Sequence, residues 1–173
     1  MESRGTGLAH VDDDGGLAGP FNAMVASPIM GRQVAALGAA VRFSSSLDDR
    51  LLELAIIAIG AHWRSNFEWF IHSELARNAG IRDAVIEAIA ADQEPTFANV
   101  DEEIVYSFSL ELITNGRVRS DTYREAIQLL GQQRVVDLVT TVGFYSLISL
   151  TLNAFEVAVP EGTDPKWPDE ESR

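Results

Sequence analysis

Residues 51–80, LLELAIIAIGAHWRSNFEWFIHSELARNAG, constrain the fold more than any other stretch of the chain. From Leu51 to Ile59 every residue is apolar except Glu53. A helix that is apolar around its whole circumference must be buried around its whole circumference. The run therefore predicts a central helix with a carboxylate inside it. A second helical segment follows, and it carries Ser65, Glu68 and His72 at i, i+3 and i+7, which puts the three on one face. Ionisable groups in such places are expensive to bury unless paired or used.

Composition narrows the classes of function. The formal net charge of -13 argues against a nucleic acid or an anionic membrane as partner, because both need a basic face. A small anionic substrate meets only local charge and stays open. The chain has no cysteine, which removes disulfides, thiolate nucleophiles and cysteine-ligated metals. The apolar run at 51–59 is too short to span a bilayer, and MESRGTGLAHVDDDGG lacks the apolar core of a secretory signal. A cytoplasmic location is the default expectation.

Residues 1–20 are glycine-rich and carry Asp12, Asp13 and Asp14 in a row, so a flexible N-terminal arm is expected. Ser27 and Pro28 open a helix to about Phe43, as N-cap and first helical residue. Ser46 offers an N-cap for the next helix, which runs to about Ala61, with Asp48 and Asp49 in its first turn. Helix resumes near Asn66 and ends at Gly80. Further helices are expected over 83–91, over 100–114 closed by Asn115-Gly116, and from an N-cap at Ser120 through Leu130 ended by Gly131, and a last, most apolar one from Arg134 to about Val157, stopped by Pro160. The tail 161–173 is polar and proline-bearing, with disorder expected apart from a contact by Trp167. No strand pattern occurs. The reading is an all-α domain over 21–160, of about six to eight helices.

Three groups bear on chemistry. Glu53 is either a structural partner of an arginine (Arg42, Arg50 or Arg64) or a carboxylate of raised pKa facing a pocket. Glu68 and His72 stand at i, i+4 and can hydrogen-bond directly, flanked by Phe67, Trp69, Phe70 and Ile71. Such a pair is a proton-transfer unit, or else a satisfied core histidine with a helix-stabilising partner. No metal is expected: helical di-iron sites need two Glu-x-x-His pairs, and here a single Glu68-x-x-x-His72 occurs, with His62 at a helix end and His10 in the arm. There is no phosphate-cradling glycine loop and no Gly-x-Ser-x-Gly elbow.

Glu53, LAIIAIGAHWRSNFEWFIH and SELARNAGI, in that order, resemble the carboxymuconolactone decarboxylase family, which includes the AhpD-like alkylhydroperoxidases. FSSSLDDRLLELAI, VDEEIVYSFSLELITNGRVRSDTY and LLGQQRVVDLVTTVGFYSLISLTLNAFEV extend the resemblance to about 28–160. The peroxidase branch uses Glu, Cys, Cys and His, at offsets that fall here on Glu53, Ser65, Glu68 and His72. Both cysteine positions are replaced, which rules out peroxidase and disulfide-reductase chemistry. Phe67-Glu68-Trp69-Phe70-Ile71-His72 fits the decarboxylase branch. The resemblance implies an AhpD-like helical bundle, a homotrimer or homohexamer, and a cofactor-free lyase acting on a small carboxylated lactone. His72 would then be general acid, Glu68 its orienting partner and Glu53 a second relay carboxylate. Arg42, Arg64 or Arg32 would hold the substrate carboxylate. Ser65, Trp69, Tyr145 and Asn153 would line the pocket, with core packing the alternative for the last two. Another acid/base enzyme (an isomerase or hydrolase) in the same pocket, or a non-catalytic oligomeric binder of the same fold, remains open.

Overall fold

Every long apolar segment folds as helix. The computed structural model describes residues 19–168, and among these there are eight α-helices and no strand. They are α1 (Pro20–Met24), α2 (Pro28–Ser44), α3 (Asp49–His62), α4 (Asn66–Asn78), α5 (Asp83–Ala90), α6 (Val100–Asn115), α7 (Ser120–Leu130) and α8 (Gln132–Ala154). The expected arm lies outside the described residues up to residue 18, as does the tail from residue 169.

The central helix is α3, which is buried from Leu51 to Gly60. It is shared by two cores. Leu51, Leu52, Ala55, Ile56 and Ile59 pack with α6 and α8, while Leu54 and Ile57 pack with Trp69 and α5. An all-round apolar helix is thus used on all sides, as its sequence requires. α8 has the length and apolar character of a membrane span, and half of that window is buried in the bundle. Its buried face carries Leu138, Val142, Tyr145 and Leu152, so it serves as a core helix.

The connections between helices fix the site. α3 ends with the amide of Ser65 donating to the carbonyl of Gly60 (2.9 Å) and that of Arg64 to Ala61 (3.0 Å). This is a Schellman motif, whose left-handed position normally takes glycine. Here Arg64 occupies it, at φ 49°. α4 closes in the same way with Gly80 at φ 100°. Ser65 is therefore both the last residue of one motif and the first boundary residue of the next helix. A Cβ at Gly60 would stand 3.4 Å from the Cβ of Glu68, so the glycine lets α4 approach α3 closely at that point.

Helix starts differ from the sequence expectation at three places. α3 is capped by the Asp48 side chain, which accepts from the Leu51 amide at 3.0 Å, and not by Ser46. Ser46 instead donates its amide and hydroxyl to Asp137 of α8, at 2.7 and 2.6 Å. The boundary residue of α7 is Arg119, with Ser120 already helical. α8 starts at Gln132, directly after Gly131, and ends at Ala154. The tail is anchored by Trp167: its amide donates to Asn66 Oδ1 (2.9 Å), its carbonyl accepts from Asn66 Nδ2 (2.8 Å), and its ring lies edge-on to Trp69 at 5.2 Å.

A candidate acid/base site

α2, α3, α4 and α8 bring four charged or titratable side chains and one phenol together in the interior. Glu53 is at the centre. One carboxylate oxygen accepts from the guanidinium of Arg42, and the other lies 2.7 Å from His72 Nδ1. Arg42 also hydrogen-bonds the Tyr145 hydroxyl, and the Tyr145 ring meets the His72 ring edge-on at 5.1 Å. Arg42, Glu53, Glu68, His72 and Tyr145 are all buried.

Burial alone would push the Glu53 carboxyl up. The hydrogen bond and charge of His72, with those of Arg42, outweigh it and hold Glu53 below the ordinary carboxylate value of 4.5. Glu53 is therefore ionised, and an ionised acceptor at Nδ1 keeps the proton on that nitrogen. The other ring nitrogen is Nε2. It faces Glu68, whose Oε2 is 3.4 Å away but makes no hydrogen bond among the described residues. Glu68 has no cation of its own. Its burial raises its pKa above 4.5, and the nearby Glu53 charge adds to the rise, against the lowering charges of His72 and Arg42. Burial likewise pushes up the Tyr145 hydroxyl, with Arg42 opposing and Glu68 and Glu53 assisting, so the phenol stays a neutral hydrogen-bonding group.

Of the two alternatives the sequence left for Glu53, the structure shows the partner of an arginine. The raised pKa falls on Glu68 and not on Glu53. The hydrogen bond to histidine comes from Glu53 on the neighbouring helix and not from the i, i+4 partner Glu68. Of the expected arginines, Arg42 is the partner of Glu53, while Arg50 pairs with Asp101 (2.5 Å) and Glu102 (2.6 Å). Arg32 and Arg64 are exposed. Ser65 is wholly buried beside the cluster. Trp69 faces away from it, into the second core with Leu54, Ile57 and Val85. Asn153 is exposed and donates to the Trp63 carbonyl at 2.7 Å, outside the cluster. Sequence reading did not single out Ser149. It is a fully buried hydroxyl one turn beyond Tyr145 on the same face of α8, and that spacing was the available signal.

The fold and this cluster define an all-helical protein with an interior acid/base centre that contains no thiol. Its segment 28–101 matches the sequence model of the carboxymuconolactone decarboxylase family, which includes AhpD-like proteins of varied activity. That segment runs from the start of α2 into α6 and contains Arg42, Glu53, Ser65, Glu68 and His72. Among curated proteins nothing matches the chain.

Proposed function

We propose that this protein is a cofactor-free acid/base enzyme whose reaction is the decarboxylation of a small carboxylated lactone. The observation that carries the reading is the buried chain Arg42–Glu53–His72–Glu68, in which one face of the imidazole is fixed by an ionised carboxylate and the other meets an acid without a cation. The match of residues 28–101 to the carboxymuconolactone decarboxylase family model supports the choice of reaction class.

In that reaction the bond between the ring carbon and the carboxyl carbon breaks, CO₂ leaves, and the electron pair passes into the conjugated carbonyl as a dienolate. The dienolate carbon then takes a proton. Glu68, held toward its acid form, passes its proton to His72 Nε2, the imidazolium delivers it to that carbon, and Glu68 regains a proton from solvent, so one proton is consumed for each CO₂ released. Glu53 stays ionised, keeps the ring in one orientation and stabilises the imidazolium while it exists. Arg42 is the one buried arginine or lysine among the described residues, and it is already engaged by Glu53 and Tyr145. The substrate carboxylate therefore lacks a matched buried guanidinium or ammonium among the described residues, which favours its loss as neutral CO₂. We also propose self-association as a trimer or hexamer. The apolar stripe of Val136, Val139, Leu147 and Leu150 on the outer face of α8 supports it.

The test is turnover of a panel of carboxylactones, followed by ultraviolet absorbance and CO₂ release. His72→Ala is expected to lower kcat by about 100-fold or more, the usual worth of a positioned acid, with helical content unchanged. Turnover that survives in His72→Ala removes the assignment.

A further inference from the structure

Three side-chain oxygens, Ser65 Oγ, Ser149 Oγ and Glu68 Oε2, are buried with no hydrogen-bond partner among the described residues. Buried polar atoms without a partner are rare in folded proteins, and each needs a reason. Ser65 and Glu68 stand at i, i+3 at the start of α4, and Ser149 is on the buried face of α8. α8 runs antiparallel to the α3–α4 turn: Tyr145 lies against His72, Ser146 Oγ accepts from Trp63 Nε1 at 3.1 Å, and Asn153 donates to the Trp63 carbonyl. Ser149 stands one turn from Tyr145 and one turn from Asn153, so along α8 it falls between the residue that meets His72 and the one that meets Trp63.

Ser65 and Glu68 also leave an obvious local use unfilled. Ser-x-x-Glu at a helix start is the signature of a capping box, in which each side chain satisfies a backbone amide of the first turn. Ser65 occupies the N-cap of α4 and makes no side-chain cap hydrogen bond, and Oε2 of Glu68 is unpartnered as well. Both side chains are turned inward.

We propose that Ser65, Ser149 and Glu68 Oε2 form a hydrogen-bonding subsite without net positive charge on the Nε2 side of His72, and that it takes an uncharged oxygen-bearing group of the substrate, such as a lactone carbonyl, and not its carboxylate. The proposal rests on the acid/base reading above. Its charge selectivity follows from the groups present. Among the described residues the one buried guanidinium is matched by Glu53, which leaves no arginine or lysine to face the subsite. As a neutral acid Glu68 donates to a carbonyl; as an anion it repels a carboxylate. Two serine hydroxyls complete a set of donors with no cost of charge burial. The subsite thus orients the ring with its carbonyl beside Nε2, where the developing dienolate oxygen gains hydrogen bonds.

The experiment is titration of the full chain with γ-butyrolactone and with 4-hydroxybutyrate, its ring-opened anion, followed by NMR of the His72 ring and of the α8 amides near Ser149. The lactone is expected to shift both sets of resonances. Ser65→Ala and Ser149→Ala should each weaken it about five- to tenfold, the worth of one hydrogen bond. The hydroxy acid should bind at least tenfold more weakly than the lactone. Ser149→Cys, which keeps the side-chain volume, should fall between parent and alanine. Ser65→Ala should leave the melting temperature unchanged or higher, whereas loss of a working cap would lower it by several degrees. Equal or tighter binding of the hydroxy acid, no lactone binding, serine variants that bind the lactone as the parent does, or a cap-like loss in Ser65→Ala would each overturn the subsite. Binding is read without turnover, so the two readings separate: lactone binding without decarboxylation overturns the proposed reaction alone, and decarboxylation with tighter hydroxy-acid binding overturns the subsite alone.

Discussion

Nδ1 of His72 lies 2.7 Å from Oε2 of Glu53, on the adjacent helix, and the same carboxylate accepts from Arg42 through its other oxygen. One buried anion thus answers both a guanidinium and an imidazole. Glu53→Gln keeps the shape and removes the charge, which leaves Arg42 buried without its counter-ion. Destabilisation of about 3–5 kcal/mol is expected, read by urea or thermal unfolding. Arg42→Met combined with Glu53→Leu should lose less than either charge-breaking single change, because the pair is then removed together. A Glu53→Gln protein as stable as the parent would show that the pair is not a buried ionic unit.

The two carboxylates of the cluster push stability in opposite directions with pH. Glu53 is depressed in the folded state, so its contribution is present above the ordinary value of 4.5 and is lost as pH falls through the folded value. Glu68 is raised, so its contribution is full below 4.5 and is lost as pH rises toward its folded value. Glu68→Gln mimics the neutral acid and removes only the second dependence. Its stability relative to the parent should increase as pH climbs from 4.5 and then level off, by about 1.4 kcal/mol for each unit by which Glu68 is raised. Unfolding curves between pH 4 and 8 test this, and a difference that is flat over that range would sink it.

Arg64 holds the left-handed position of the α3 Schellman motif with its side chain in solvent. A residue with a Cβ costs about 1–2 kcal/mol there relative to glycine. Arg64→Gly should therefore gain about 1 kcal/mol, offset in part by chain entropy, and raise the melting temperature by about 2–4 °C. The near-ultraviolet circular dichroism of Trp63 and Tyr145 should not change. A fall in melting temperature would mean that the Arg64 side chain has a role its exposure does not reveal.

Leu150 lies in the middle of the apolar stripe on the outer face of α8 and is 47% exposed. If that stripe joins copies of the chain, Leu150→Glu should convert the oligomer to monomer at micromolar concentration, with helical content retained. Multi-angle light scattering reads the change. A parent protein that is itself monomeric would remove the self-association proposal.

Much of the architecture is legible in the sequence because helix period and breakers are local signals. Pro28, Gly80, Gly116 and Gly131 all mark boundaries that the structure keeps. What escapes is what depends on a distant partner. Ser46 has the composition of a cap, yet Asp137, 91 residues away, takes both its donors. The i, i+4 pair Glu68–His72 is visible on one helix, while the stronger Glu53–His72 contact spans 19 residues and two helices, and only their packing reveals it. Sequence named three possible arginines for Glu53, and choosing Arg42 required knowing that α2 and α3 are neighbours on this face. Trp69 packs apart from the cluster for a related reason: adjacent residues on a helix point about 100° apart, so Glu68 and Trp69 face different surroundings.

The boundary of the family match runs through the candidate site. Arg42, Glu53, Glu68 and His72 fall inside 28–101, whereas Tyr145 and Ser149 come from α8, outside it. The charged cluster and the α8 side chains near it therefore reside on separable tracts of chain. Replacing the inward face of α8 around Ser149 offers a route to altered substrate choice that leaves the relay untouched, and libraries confined to that one helix are the natural place to look for it.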